Sequence, residues 1–384
     1  MFAWDKYRFK NFNLALVLCT ISLCILGYMV LSSAVVNDVD GAETLQKQLI
    51  GMIAGTVLML FLAVTDYHFW LKTHWIVYAI GLLVLALLFT PIGYTTKGAT
   101  RWLTLPGLGR LQPSEFVKIA IILFYAWYFE KNRDRINKAS TVFLAIGIFL
   151  PPAVLIFIEP DLSTTLILFA LFFILLYMSQ ISYRWLGGMA LSMVPAAGFL
   201  IWDSLQPDPI ILKPYMLRRL LSFINPQDYV ESGLTSQQDR AIMAISSGRL
   251  SGKGLFNSSF DSVKAGNFLS EENCDFVFAV VGEELGFWGS AAILLLFFIL
   301  VLLCFRTASR AQDLSGRLIA VGVGAFFGLQ IFFNIGVTSG ILPNTGVVLP
   351  FFSHGISSLL SAFIGLGLVL NVGLQKRETE IKEW

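Results

Sequence analysis

NCDFVFAVVGEELGFWGSAAILLLFFILVLLCF (273–305) opens on an acid, Asp275, carries Glu283 and Glu284 side by side, and then runs from Ala291 to Phe305 without a charge. A helix rises about 1.5 Å per residue, so crossing a hydrocarbon core of ~30 Å takes about 20 apolar residues. This stretch is long enough to cross, and acids at its head need a reason, because charge is expensive where a helix enters lipid. The rest of the chain has the same character. Of 384 residues, 56% are hydrophobic and only 14% charged, with a mean hydropathy of +0.73. Soluble domains carry roughly a quarter charged residues. The chain is therefore expected to be an integral membrane protein.

The apolar material falls into about ten stretches, near 12–35, 48–65, 74–91, 114–130, 140–158, 162–180, 185–203, 276–305, 315–340 and 355–374. Continuous apolar runs of this length predict an all-α, polytopic fold of about ten transmembrane helices in one domain, 1–384, because a helix satisfies its backbone within lipid. The first run is too long for a signal-peptide core and lacks a small-residue cleavage site, so it is expected to remain as the first span. A large loop, about 204–275, separates the seventh and eighth spans. With the N-terminus in the cytoplasm, the inside segments hold 15 Lys and Arg and the short outside loops four, Lys47, Lys97, Arg101 and Arg110. The positive-inside rule then puts both termini in the cytoplasm and the large loop outside.

Net charge of +2 carries no nucleic-acid signature. There is no P-loop, dinucleotide fingerprint, HExxH motif or S-x-x-K nucleophile, and the three histidines are scattered. Cys19, Cys24 and Cys304 lie in spans and Cys274 stands alone, so no structural disulfide is expected. Chemistry must then come from polar residues in spans and outer loops. PSEFVK (113–118) places Glu115 and Lys118 on one helix face, either as an ion pair holding the bundle or as a direct participant. EPDLST (159–164) puts Glu159 and Asp161 around a proline, a pattern that also makes a turn with a helix cap. Arg101 and Trp102 read as a cation–aromatic pair at the outer interface, suited to anchoring or to holding a phosphate beside a sugar. KPYMLRRLLSFINP (213–226) has the look of an interfacial helix facing anionic headgroups. Gly324 and Gly328 suggest close helix packing.

Asp275 and Glu283 are eight residues apart, roughly 12 Å along a helix, too far for a glycosidase carboxyl pair at about 5–9.5 Å. Asp275 belongs to the outer surface, whereas Glu283 and Glu284 point into the bundle to receive a cation or a backbone N–H. A lone acid among cations suits a displacement whose leaving group is already good, such as a pyrophosphate.

Taken in order, GATRWLTLPGLGRLQPSEFVK (98–118), EPDLSTT (159–165), the INP after RRLLSF, the QQ…AI…SGRLSGKGL run, CDFVFAVVGEELGFWG (274–289) and NIGVTSGILPNTGVVLPFFSHGISS (334–358) resemble the SEDS (shape, elongation, division and sporulation) family, which includes RodA and FtsW. The resemblance implies a peptidoglycan glycosyltransferase that polymerises lipid II on the outer face of the bacterial cytoplasmic membrane, in wall elongation and cell shape. It implies Asp275 as general base. It places Arg101, Trp102, Glu115, Lys118, Asp161, Lys253 and Ser353 on family motif positions, with the cations on pyrophosphate and the rest shaping the cavity. Arg218 and Arg219 join these as substrate-binding residues, and Glu283 and Glu284 as structural ones. A class B penicillin-binding protein is the implied partner, with other elongation or division proteins. A divalent cation, magnesium or manganese, is the one cofactor expected, with no residues assigned to it.

The sequence departs from the family pattern in two places. Asn273 and Cys274 stand where the family has His and Thr before the acid, and Val348, His354 and Ile356 replace Pro, Tyr and Gly in the last loop. The N-terminal stretch is closer to RodA than to FtsW. Two other readings compete, a transporter of a lipid-linked precursor, which Pro151–Pro152 would suit, and a non-catalytic scaffold of a wall-synthesis complex.

Overall fold

The structure, a computed structural model, describes residues 7, 11–96, 99–105, 109–204, 206, 219, 221–223, 236–257 and 274–375. Most of the proposed interfacial helix at 213–226, including Arg218, lies outside the described residues, as does Asn273. The long helices are α1 Leu14–Ala34, α2 Gly41–Val64, α4 His74–Ala86, α5 Pro113–Lys131, α6 Ala139–Ile158, α7 Leu162–Met178, α8 Tyr183–Ser204, α10 Val277–Ser309, α11 Leu314–Thr338 and α12 Ile356–Leu374. A short α3, Tyr67–Lys72, and an amphipathic α9, Ser236–Ser247, complete the set. Each of the ten expected spans corresponds to one long helix. Seven helices meet both length and hydropathy for crossing a membrane, and α7 and the run His74–Phe89 are shorter apolar helices. The chain is a multi-pass membrane protein.

One addition was not legible in the pattern. Between α4 and α5 the chain forms an antiparallel meander, β1 Gly93–Thr96, β2 Ala99–Leu105 and β3 Gly109–Leu111. Its register slips between Tyr94 and Thr95, which pair with Trp102 and Thr100 and leave Arg101 as the extra residue of a bulge. Bulges re-aim a side chain, and the consequence is described with the site.

The core is built by α5, α11 and α12, with α2 against α12 and α10 against α11 and α1. A Cβ added at Gly55 of α2 would come within 2.1 Å of Phe363 on α12, so the small residue sets this approach. Gly324 likewise abuts Phe305, while Gly328 faces open space. α6 passes through Pro151–Pro152 as one helix. Pro152 has no N–H for the carbonyl four residues back, and Tyr78 of α4 donates its hydroxyl to that Ile148 carbonyl at 2.6 Å. The proline pair therefore does not divide the span as the transporter reading would have it.

At the end of the bundle opposite Asp275, the described parts of the N- and C-terminal segments meet. Tyr7 bridges to Gln375, and Asn371 of α12 bonds Tyr7, the Ala63 carbonyl and the Tyr67 N–H. His68 lies between Asp66 at 2.8 Å and Asp313 at 3.0 Å, and thereby ties the α2–α3 corner to the start of α11. Hydrogen bonds to Asp313 and Asp66 outweigh burial and raise the His68 imidazolium to about 9. A raised folded pKa adds stability that is complete below the unfolded value of roughly 6.5 and lost as pH rises through about 9. The wild-type melting temperature should therefore fall between pH 7 and pH 10 by more than that of His68→Gln. Parallel curves would remove His68 as the cause.

Candidate active site

Asp275 sits in the turn that leads into α10, half-buried, and its position is fixed through the backbone on both sides. Asn334 of α11 donates to the Asp275 carbonyl at 2.9 Å and to the Val347 carbonyl at 2.6 Å. Ser353 donates its hydroxyl to the Cys274 carbonyl and accepts the Leu349 N–H at 2.8 Å. The loop 339–355 between α11 and α12 is thus laced onto the head of α10. Gln48 of α2 holds the same loop from the other side through the Ser353 carbonyl, at 3.3 Å.

Gly346 of this loop has φ +73°, the left-handed region that favours glycine. A Cβ built there would lie 3.1 Å from Asp275 Oδ2 and 3.8 Å from Arg219 Nη1. Asp275 and Arg219 therefore border one point, with only a hydrogen atom of glycine between them and the loop. His354 is nearby in sequence, but burial, aided by the Lys47 charge, holds its imidazole below the usual range. It does not add a cation at neutral pH.

Glu115 and Lys118 form a buried pair at 2.7 Å, with side chains 4% and 1% exposed. Gln330 of α11 and Ser361 of α12 also donate to the Glu115 carboxylate, and Lys118 lies 4.9 Å over the Phe326 ring. Gln112 connects this pair to the neighbouring cluster. Its N–H bonds Ser357 at 2.9 Å and its amide reaches Asp161 at 3.5 Å. Asp161 caps α7 through the Thr164 N–H and lies 4.0 Å from Arg101. The bulge turns Arg101 toward Asp161 and the Pro160 carbonyl, so Arg101 does not stack on Trp102. The expected cation–aromatic pair is corrected accordingly, and in this sheet it is Arg110 that lies 4.3 Å over a ring, that of Tyr94. Trp102 is half-buried in β2. Glu159 is buried in the same turn with one carboxylate oxygen lacking a hydrogen-bond partner. Ser163 of α7 bonds the Thr345 carbonyl at 2.8 Å, next to Gly346, and so joins this cluster to the Asp275 loop.

Glu283 and Glu284 serve the large loop. Lys253 pairs with Glu283 at 2.9 Å, and the Lys253 and Gly254 N–H groups bond the carbonyls of Glu283 and Glu284. Ser33 of α1 donates to Glu284 at 2.6 Å and accepts the Phe256 N–H. α10 breaks at Gly286, where φ is 65°, because the segment 250–252 crosses it there. A Cβ at Gly286 would meet the Gly252 nitrogen at 2.2 Å. Phe287 and Trp288 then donate their N–H groups to Arg249 and Leu250 across the break. Lys253 thus lies against the helix rather than in the Asp275 loop.

Gly346 stands at a family-pattern position of the last loop, whereas Asn334, Gln48, Gln112 and Gln330 have no individual signature in the motifs. The polar residues Asn334 and Gln330 inside an apolar helix were the available signal. Among the described residues no three or more His, Cys, Asp or Glu gather closely enough to hold a metal ion. The described residues thus offer no built divalent-cation site, and no step is routed through one.

The fold and site define a multi-pass membrane protein in which an acid at the head of one span faces an arginine from a long loop. The sequence pattern of the FtsW/RodA/SpoVE cell cycle proteins matches residues 13–378, and the chain belongs to that family. It is 34% identical over 373 residues to the probable peptidoglycan glycosyltransferase FtsW of Trichlorobacter lovleyi, covering 95% of this chain and 94% of that one. It is 31% identical to stage V sporulation protein E of Bacillus subtilis, covering 95% and 98%. Among solved structures, a chain of a peptidoglycan synthase complex whose polymerization and crosslinking are structurally coordinated superposes with a TM-score of 0.77 at 27% identity, over 94% and 97% of the two chains. The rod shape determining protein RodA of Thermus thermophilus gives 0.68 at 26%, over 96% and 97%.

Proposed function

We propose that the chain is a peptidoglycan glycosyltransferase that polymerises lipid II and releases undecaprenyl pyrophosphate, acting in wall elongation and cell shape. It sits in the bacterial cytoplasmic membrane with both termini inside and Asp275 outside. The carrying observation is Asp275 at the head of α10, its backbone held by Asn334 and Ser353 and its carboxylate bordering Arg219 across Gly346. Family membership supports the same reading.

In this reaction Asp275 takes the proton of the acceptor sugar's 4-hydroxyl as general base. The oxygen bonds the anomeric carbon of the lipid-linked chain on the face opposite the leaving group. The bond from that carbon to the pyrophosphate oxygen breaks, its electron pair leaves with the pyrophosphate, and configuration inverts. Arg219 faces the developing charge, and preorganised cations of this kind are worth most where water is excluded. Arg101, held by Asp161, is the second cation on the same side. The partner is a class B penicillin-binding protein, as the family resemblance implies; likeness to a chain of a synthase complex that coordinates polymerization and crosslinking supports a crosslinking partner.

The test is purified protein, with a candidate partner, given lipid II and magnesium or manganese. Glycan strands are expected. Their absence where a known polymerase works would overturn the assignment, and movement of labelled lipid across vesicles without its consumption would favour a transporter. Complementation of RodA depletion is the outcome an elongation role predicts, and complementation of FtsW depletion would instead place the chain in division.

Gly346→Ala should slow polymerisation about tenfold, since a non-glycine residue at this φ carries of order 1–3 kcal/mol of strain and the new methyl crowds Asp275. Full activity would show that the loop can shift without moving the acid.

A further inference from the structure

Gly322, Phe326, Gln330 and Asn334 stand four residues apart on α11 and so form one row along one face of the helix. The first three meet α5 in turn. A Cβ added at Gly322 would lie 2.8 Å from Ile122, Phe326 carries the Lys118 ammonium 4.9 Å over its ring, and Gln330 donates its amide to the two Glu115 oxygens at 3.5 and 3.3 Å. The two helices therefore run antiparallel, and Glu115 lies in the first turn of α5, which begins at Pro113. Asn334 is the next member of the row and has passed the end of α5. Its amide goes instead to the carbonyls of Asp275 and Val347. One helical turn, about 6 Å, separates the hold on α5 from the hold on Asp275.

One contact with α5 in this row is directional. Gly322 and Phe326 present apolar surface and a ring face, and apolar attraction has no preferred direction. The hydrogen bonds of Gln330 weaken steeply with distance and angle. Their acceptor is itself fixed, by Lys118 at 2.7 Å and by Ser361 of α12 at 3.4 Å. Gln330 is fully buried, and its Oε1 has no hydrogen-bond partner among the described residues. An apolar residue of similar size would avoid that cost. Packing alone therefore does not account for an amide at this point of the row.

We propose that Gln330 is a positioning residue for Asp275. Its bonds to Glu115 set the height of α11 against α5, and Asn334, one turn on, passes that height to the Asp275 backbone. The inference rests on the polymerase reading with Asp275 as base.

Gln330→Leu removes the donor and keeps the bulk. With lipid II, kcat should fall by about 10–10²-fold, the size of loss that a displacement of ~1 Å brings at a reacting group. KM should stay within about twofold of wild type, because no contact with substrate is removed. Raised KM with unchanged kcat would make Gln330 a substrate contact and overturn the positioning role. A double-mutant cycle with Asn334→Ala tests the link itself. Residues acting in series leave the double variant no slower than the slower single one, whereas a loss equal to the product of the two would overturn the inference. Hydrogen exchange carries the test if Asn334→Ala does not fold. Gln330→Leu, or Gln330→Met in its place, should speed exchange of the backbone amides around Asp275 and Val347, which the Asn334 side chain holds. Exchange there at the wild-type rate would overturn the link. Wild type that makes no strands would end the polymerase reading, and the exchange measurement would still decide whether Gln330 positions Asp275.

Discussion

Asp275→Asn makes few or no glycan strands from lipid II, with the rate down by about 10²–10⁴-fold, the usual contribution of a positioned general base. The amide keeps the size of the carboxylate and leaves the Asn334 bond to the Asp275 carbonyl untouched, so the fold and melting temperature stay near wild type. Binding of lipid II should also persist, because the loss is confined to proton removal in the transition state. Strand synthesis at the wild-type rate would end the general-base role of Asp275, even with the polymerase activity intact.

Lys118→Ala lowers stability by about 3–5 kcal/mol, since it leaves the Glu115 carboxylate buried without its cation. Gln330 and Ser361 still donate to that carboxylate, at 3.3 and 3.4 Å, but neither carries charge. Thermal unfolding in detergent measures the loss. The double variant Glu115→Gln with Lys118→Met separates the two roles left open by the sequence, because replacing both partners by neutral groups is often close to neutral for stability. Recovered stability with wild-type polymerisation would make the pair a structural brace. Recovered stability without polymerisation would place it in the chemistry.

The span pattern was legible to within a few residues at most boundaries because each span is a continuous apolar run whose environment is lipid on at least one side. α2 begins at Gly41 rather than near Gln48, since Gly41–Lys47 continues the helix above the apolar run. The meander at 93–111 is not legible in the sequence, for a different reason. Its strands are short and rich in glycine and threonine, and the pairing that defines them is set by neighbours across the sheet. Within the candidate site, residue types and approximate depth could be read, and partners could not. Adjacency in sequence pairs Arg101 with Trp102, whereas the bulge directs it to Pro160 and Asp161.

By itself, the sequence determined a multi-pass helical protein with an acid at the head of one span and two more within it, because the cost of placing charge in lipid depends only on local composition. Tertiary structure alone decided what each acid meets. Glu283 takes Lys253 from 30 residues earlier in the chain, Glu284 takes Ser33, and Asp275 faces Arg219 across Gly346. The crossing at Gly252 and Gly286, two backbones within the reach of a missing Cβ, fixes the first of these pairings. Such contacts join residues far apart in the chain, and they exist only once the helices have packed.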